Sequence, residues 1–204
     1  IGTYSIKAPI NAVVADNQMG AYQATTHLLE LGHRDIGFIN GPETTGSSRS
    51  KYEGFREALI AYGQSPDPSW ITSANFTIED GYEAAKKFLA MRRRPTAMFI
   101  ADDPIAIGAI KAFQEAGLSI PEDMAIVGFG NNPMGEYLSP SLSTIDVYQR
   151  KLGTSGALRL LHLIEKRSRG EPVDEYYRLM FATTLIVRES SGAGLKREGK
   201  RNSA

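Results

Sequence analysis

The sequence predicts an α/β fold built on a doubly wound parallel sheet, and three observations carry that prediction. Short apolar runs bounded by turn residues alternate with longer segments whose apolar residues recur at helical spacing. Glycines stand where several of these helices must stop, at positions 32 and 63 among others. The chain has 204 residues and is 42% hydrophobic, enough to bury a substantial core. Strands that alternate with helices of this length need right-handed crossovers, which place parallel strands in the middle and helices on both faces.

In chain order, NQMGAYQATTHLLELG reads as a helix from Asn17 that stops at Gly32, a glycine suited to the left-handed position after a helix. DIGFIN follows as a short buried strand. SKYEGFREALIAYG is the next helix, with Ser50 and Glu53 spaced as a capping box and Gly63 as its stop. WITSANF then reads as a strand, IEDGYEAAKKFLAM as a helix, TAMFIA as a strand, DPIAIGAIKAFQEAG as a helix and MAIVGFG as a strand. After residue 131 a long connection rich in Pro, Ser and Asn holds a short strand at 143–148. An amphipathic helix, QRKLGTSGALRLLHLIEKR, and a last strand, YYRLMFATTLIVRES, complete the pattern. Residues 191–204 carry Gly, Ser and charge without apolar payload and read as a disordered tail.

Composition excludes several functions. The chain has no cysteine, which removes disulfides, thiolate metal sites and cysteine nucleophiles. No apolar run approaches the ~20 residues that span a bilayer, so no membrane partner is expected. Lys plus Arg and Asp plus Glu each total 23, leaving no overall field to draw the chain onto nucleic acid. The first ten residues, IGTYSIKAPI, lack a secretory signal's basic start and apolar stretch, and they lack an initiator methionine. They read as mid-fold, so a piece of a longer protein is expected.

Catalytic signatures fail one by one. GPETTGSS has the glycine spacing of a phosphate loop, but Ser47 stands at its lysine position and Pro42 removes an amide donor. GFGNNP opens like a dinucleotide loop, yet it lacks the third glycine and a following helix. His27, His33 and His162 form no triad or metal pattern. Neither enzyme activity nor a cofactor is expected.

Binding chemistry remains. In a doubly wound sheet ligands sit outside the carboxyl ends of the strands, here near residues 41–49, Phe76, 101–104 and 129–135. Ser47 and Ser48 offer hydroxyls, and Arg49 and Lys51 offer charge near a helix start. Phe76 offers an apolar wall, and Asp102, Asp103, Asn131 and Asn132 offer polar acceptors and donors. Each has a plainer explanation: Arg49 pairing with Glu53, Asp103 capping its helix, Phe76 as core.

Four stretches together resemble the LacI/GalR family of bacterial transcription regulators. They are VVADNQMGAYQATTHLLELGHRDIGFINGP, SSRSKYEGFREALIAYG, RPTAMFIADDPIAIGAIKAFQEAGLSIPEDMAIVGFG and YLSPSLSTIDVYQRKLGTSGALRLL, and they cover most of residues 11 to 165. The resemblance implies a periplasmic-binding-protein-like effector domain of type I, with its second lobe nearly complete and its first lobe mostly missing. Residues 1–10 would be the remnant of the first lobe, 11–141 the C-terminal lobe, and 142–170 the crossover and returning helix. Residues 171–190 would supply the final strand. The nearest rival is a transporter's periplasmic sugar-binding protein, which shares the fold.

The family's effector contacts map onto Ser47, Lys51, Phe76, Asp102 and Gly130, with Phe76 at the position that stacks on a ligand ring. Two departures stand out. Lys51 occupies the place of a clamping arginine and Gly130 the place of a frequent aspartate, which points to a carbohydrate effector with an acidic group. The resemblance also implies a cytoplasmic homodimer, with Ile107 and Tyr137 at its interface and core as the competing explanation for Ile107. It further implies allosteric control of operator DNA through an N-terminal helix-turn-helix.

Overall fold

The computed structural model describes residues 10–172 and 176–194. In chain order its principal elements are β1 (Ala12–Ala15), α1 (Asn17–Glu30), β2 (Ile36–Asn40), α2 (Gly46–Ala61), β3 (Ile71–Ser73), α3 (Ile78–Leu89), β4 (Ala97–Ile100) and α4 (Asp103–Glu115). They continue with β5 (Ala125–Phe129), β6 (Ser143–Asp146), α5 (Gln149–Ser168), β7 (Arg178–Phe181) and β8 (Thr184–Ile186). The main sheet has six strands in the order β3-β2-β4-β5-β6-β8. Its first five strands run parallel, and β8 closes the edge antiparallel to β6.

Helices α1 and α2 cover one face and α3 and α4 the other, each over its own apolar cluster. Phe38, Phe55 and Phe99 stack in the first cluster with ring centroids 4.9 Å apart, and Phe129 tilts against Phe99 at 6.3 Å. Fully burying such a ring contributes about 1.5–3 kcal/mol each. Two glycines allow the helix pairs to approach. A Cβ on Gly54 of α2 would overlap the Gln18 carbonyl of α1, and one on Gly108 of α4 would overlap the Ile78 carbonyl of α3.

Helix ends follow local chemistry. Asp16 accepts from Met19 N to cap α1, and Gly32, at φ 96°, ends it. Thr77 caps α3, whose acidic first turn and basic last turn both suit the helix dipole. The capping box expected at Ser50 and Glu53 does not form. Helix α2 begins earlier, capped by Thr45, whose hydroxyl accepts from Ser48 N, while Glu53 turns to Arg56. The segment expected as loop to residue 49 is therefore helix from Gly46.

The final strand divides. Arg178–Phe181 pairs in parallel with β1 as a separate two-stranded sheet, and Thr184–Ile186 joins β6 in the main sheet. One segment thus serves two sheets, with the break at residues 182 and 183. Ser190, at the end of the expected final strand, and Ser191, the first residue of the expected tail, are buried: Ser190 Oγ donates to the Ile126 carbonyl and Ser191 Oγ accepts from Ser143 Oγ. Expectations for residues 1–9 and 195–204 lie outside the described residues. Helix α5 leaves the main sheet, and Leu152 is its one buried residue; Leu158, Leu160, Leu161 and Ile164 are 55–62% exposed. Among the described residues no helix is long and apolar enough to cross a membrane.

Candidate functional site

The sheet reverses its winding direction between β2 and β4, where a doubly wound fold leaves a crevice at the carboxyl ends of its strands. The turn after β2, the first turn of α2, the start of α4 and the loop after β5 meet there.

Asn40 ends β2 and organises the turn. Its Oδ1 accepts from Gly41 N at 2.9 Å and its Nδ2 donates to the Ser48 carbonyl at 3.1 Å. Thr45 Oγ1 donates to Ser48 Oγ at 2.6 Å and lies 3.3 Å from Ser47 Oγ, so hydroxyls gather at the helix start. The Phe76 ring lies against Gly41 so closely that any Cβ there would strike it. The ring remains 40% exposed and so offers a free surface for stacking.

Asp102 and Asp103 follow β4 with opposite fates. Asp103 is fully buried; its Oδ2 accepts from Asn132 N at 2.6 Å and its Oδ1 from Thr144 Oγ1 at 2.7 Å. Burial raises its carboxyl above the usual range, while those bonds and Phe129 N oppose the rise. It pins the loop after β5 rather than capping α4. Asp102 is the N-cap residue, yet its side chain makes no cap bond and has no hydrogen-bond partner among the described residues. Burial pushes its carboxyl up to about 6, with the Lys51 charge opposing and Asp103 adding.

Lys51 turns inward. Its Nζ donates to the Ala101 carbonyl at 2.7 Å and sits 4.1 Å from the centre of the Phe129 ring, and the residue is only 5% exposed. Burial brings its ammonium down to about 8, against the pull of Asp102 and Asp103. Gly130 takes φ 131°, a conformation that favours glycine, and its carbonyl accepts from Gln149 Nε2 at 3.2 Å. Asn131, at φ 54°, is engaged elsewhere: its Oδ1 accepts from Arg188 Nη2 at 3.0 Å.

The structure therefore sets Ser47, Phe76, Asp102 and Gly130 after the carboxyl ends of four neighbouring parallel strands and buries Lys51 against the end of β4. Arg49 is on another face of α2, beside β3, and Glu53 pairs with Arg56 instead. Ile107 is half-buried on α4, and Tyr137 is 87% exposed after the loop 130–136. Sequence reasoning missed Gln149 and Arg188, both polar residues in segments read only for their apolar pattern. An exposed ring after β3 and a carboxylate without a hydrogen-bond donor after β4 are features that suit small-molecule binding at the strand ends of an α/β fold.

Comparison with known proteins agrees. A family model described as a periplasmic binding protein-like domain matches residues 25–191. The HTH-type transcriptional repressor PurR of Haemophilus influenzae is 38% identical over 171 residues, 84% of this chain and 50% of that protein. The solved complex of transcriptional regulator CelR with cellobiose superposes at TM-score 0.84 and 31% identity, covering 93% of this chain and 57% of that one. A LacI family transcriptional regulator from Enterococcus faecium with bound ribose gives TM-score 0.80 and 30% identity, covering 92% and 67%. The chain belongs to the periplasmic binding protein-like domain family, within its LacI branch. It spans about half the length of the curated relatives it matches.

Proposed function

We propose that this chain is the effector-sensing part of a LacI-type transcription regulator. Ser47, Phe76, Asp102 and Gly130 form one wall of its effector cleft, and a sugar-like ligand stacks on Phe76 and donates hydroxyls to Asp102. The unpartnered Asp102 carboxylate carries this reading, because a half-buried acceptor left without a donor is completed by a ligand hydroxyl. Relatives that are regulators, two of them solved with a sugar, favour it over a transporter component.

In the whole protein, effector binding changes the relative orientation of two lobes and thereby operator binding by an N-terminal helix-turn-helix. The exposed apolar side of α5 suits packing against a first lobe. Homodimerisation through the α4 surface near Ile107 and the loop near Tyr137 suits a palindromic operator. A second reading, a sugar acid as effector, rests on the positive charge of Lys51 beneath the wall and the absent carboxylate at Gly130. Calorimetry of the intact regulator with ribose, cellobiose and the matching sugar acids tests both. Saturable binding of a neutral sugar that Asp102→Asn weakens about tenfold supports the first reading, preferential binding of an acid the second, and binding of neither class sinks the proposal.

A further inference from the structure

The side of α2 turned from the cleft lines a separate cavity of about 940 Å³. Arg49, Tyr52 and Arg56 recur there at helical spacing and form one wall, and the edge strand β3 supplies Ile71 opposite. Pro66 and Pro68 add apolar surface. Tyr52 and Ile71 also pack on the inner apolar cluster, so these two side chains are anchored.

The charges are unequal in availability. Arg56 is held by Glu53 at 2.7 Å. Arg49 has no ion pair or hydrogen bond from its guanidinium among the described residues, and the Tyr52 hydroxyl is likewise unpartnered. Glu43 stands at the cavity too and disfavours a multiply charged anion. Glu53 lines it as well, but its charge is taken up by Arg56. A volume of this size, an apolar patch of Tyr52, Pro66, Pro68 and Ile71 within a polar rim, and a guanidinium without an ion pair are the features of a small-molecule site.

We infer that this groove is a second ligand site, taking a small aromatic or alicyclic monocarboxylate whose ring lies against Ile71 and Tyr52 and whose carboxylate meets Arg49. Asn40 borders both regions, but the groove includes none of Ser47, Phe76, Asp102 and Gly130, and it stands whatever the effector proves to be.

The test is a titration of the chain with benzoate, and with benzyl alcohol as its neutral counterpart, followed by backbone amide NMR. Benzoate is expected to give saturable shifts at Arg49, Tyr52, Ile71 and Ser73, and to bind about tenfold more tightly than the alcohol. Arg49→Ala should abolish that difference and leave the alcohol's affinity unchanged; Arg49 is exposed, so the fold survives the change. The inference is overturned if no saturable shift appears at these amides, or if the shifts fall instead at Ser47, Phe76 and Asp102 or along α5. It is overturned equally if the alcohol binds as well as benzoate, or if Arg49→Ala has no effect.

Discussion

The Lys51 ammonium and the Ala101 carbonyl are joined by a 2.7 Å hydrogen bond inside the lobe, at the seam where the sheet reverses its winding. A lysine there holds the first turns of α2 against the end of β4, and its charge is buried beside the Phe129 ring.

That burial makes stability depend on pH in an unusual direction. Lys51 titrates near 8 in the fold and near 10.5 when unfolded, so between those values the unfolded chain binds the extra proton. The Lys51 contribution to stability therefore rises with pH from about 8 to 10.5, by roughly 3 kcal/mol at 1.36 kcal/mol per pH unit. Urea unfolding across this range, compared with Lys51→Met, should show the rise in the parent and its absence in the variant. Parallel curves would refute it.

On the proposed reading, Asp102 sets binding against stability. Its folded carboxyl is raised to about 6 from 3.8, so the fold favours the protonated form and bears a penalty that builds as pH rises from 3.8 and is complete above about 6. The penalty disappears as pH falls below 3.8. Asp102→Asn should stabilise the chain by about 1 kcal/mol at pH 7, after allowance for solvent screening, and weaken effector binding about tenfold. Thermal unfolding and calorimetry measure the two, and a variant that loses stability would contradict the account.

What could be read in the sequence was what depends on near neighbours. The strand–helix alternation and the glycine stops at 32 and 63 are local and match the structure. The start of α2 was not legible, because Thr45 and Ser50 both satisfy a capping pattern and the choice rests on Asn40 holding Ser48. Nor was the division of residues 176–190, an unbroken apolar-rich run that β1 and β6 split between two sheets. The inward turn of Lys51 depends on partners 50 and 78 positions away, Ala101 and Phe129, and no spacing rule reaches that far.

Arg188 fixes the loop that carries Gly130. Its guanidinium donates to Asn131 Oδ1 at 3.0 Å, Glu136 Oε1 at 2.7 Å and the Leu142 carbonyl at 2.8 Å. Arg188→Ala leaves the Leu142 carbonyl and the Asn131 amide without this donor and should cost about 2–3 kcal/mol. Amide exchange should accelerate over residues 130–137 more than in β2 or β4. A uniform change across the lobe would argue against a local role.

Two glycines give opposite expectations. Gly108→Ala forces the α3 and α4 backbones apart at Ile78 and should destabilise by about 1–3 kcal/mol. Gly153 lies within α5 with open space around its missing Cβ, so Gly153→Ala should stabilise by about 0.5–1 kcal/mol through helix propensity. Melting temperatures of the pair decide the matter, and equal signs would show that helix contact is not the cause.

The side chains of Leu158, Leu161 and Ile164 recur every three residues along α5 and are 55–62% exposed. Apolar side chains at that spacing make one stripe, and water contact on such a stripe drives association wherever another apolar surface is supplied. The chain on its own should therefore self-associate with rising concentration, as followed by sedimentation velocity. Leu158→Lys with Leu161→Lys should shift it toward monomer, because the ammonium groups repel across any paired stripe. The melting temperature should change by no more than a few degrees, since these residues bury little and surface changes stay within about 0.5 kcal/mol. A large loss of stability would mean that the stripe is already packed within the chain. Unchanged association would place the contact on another face, such as that of Tyr137.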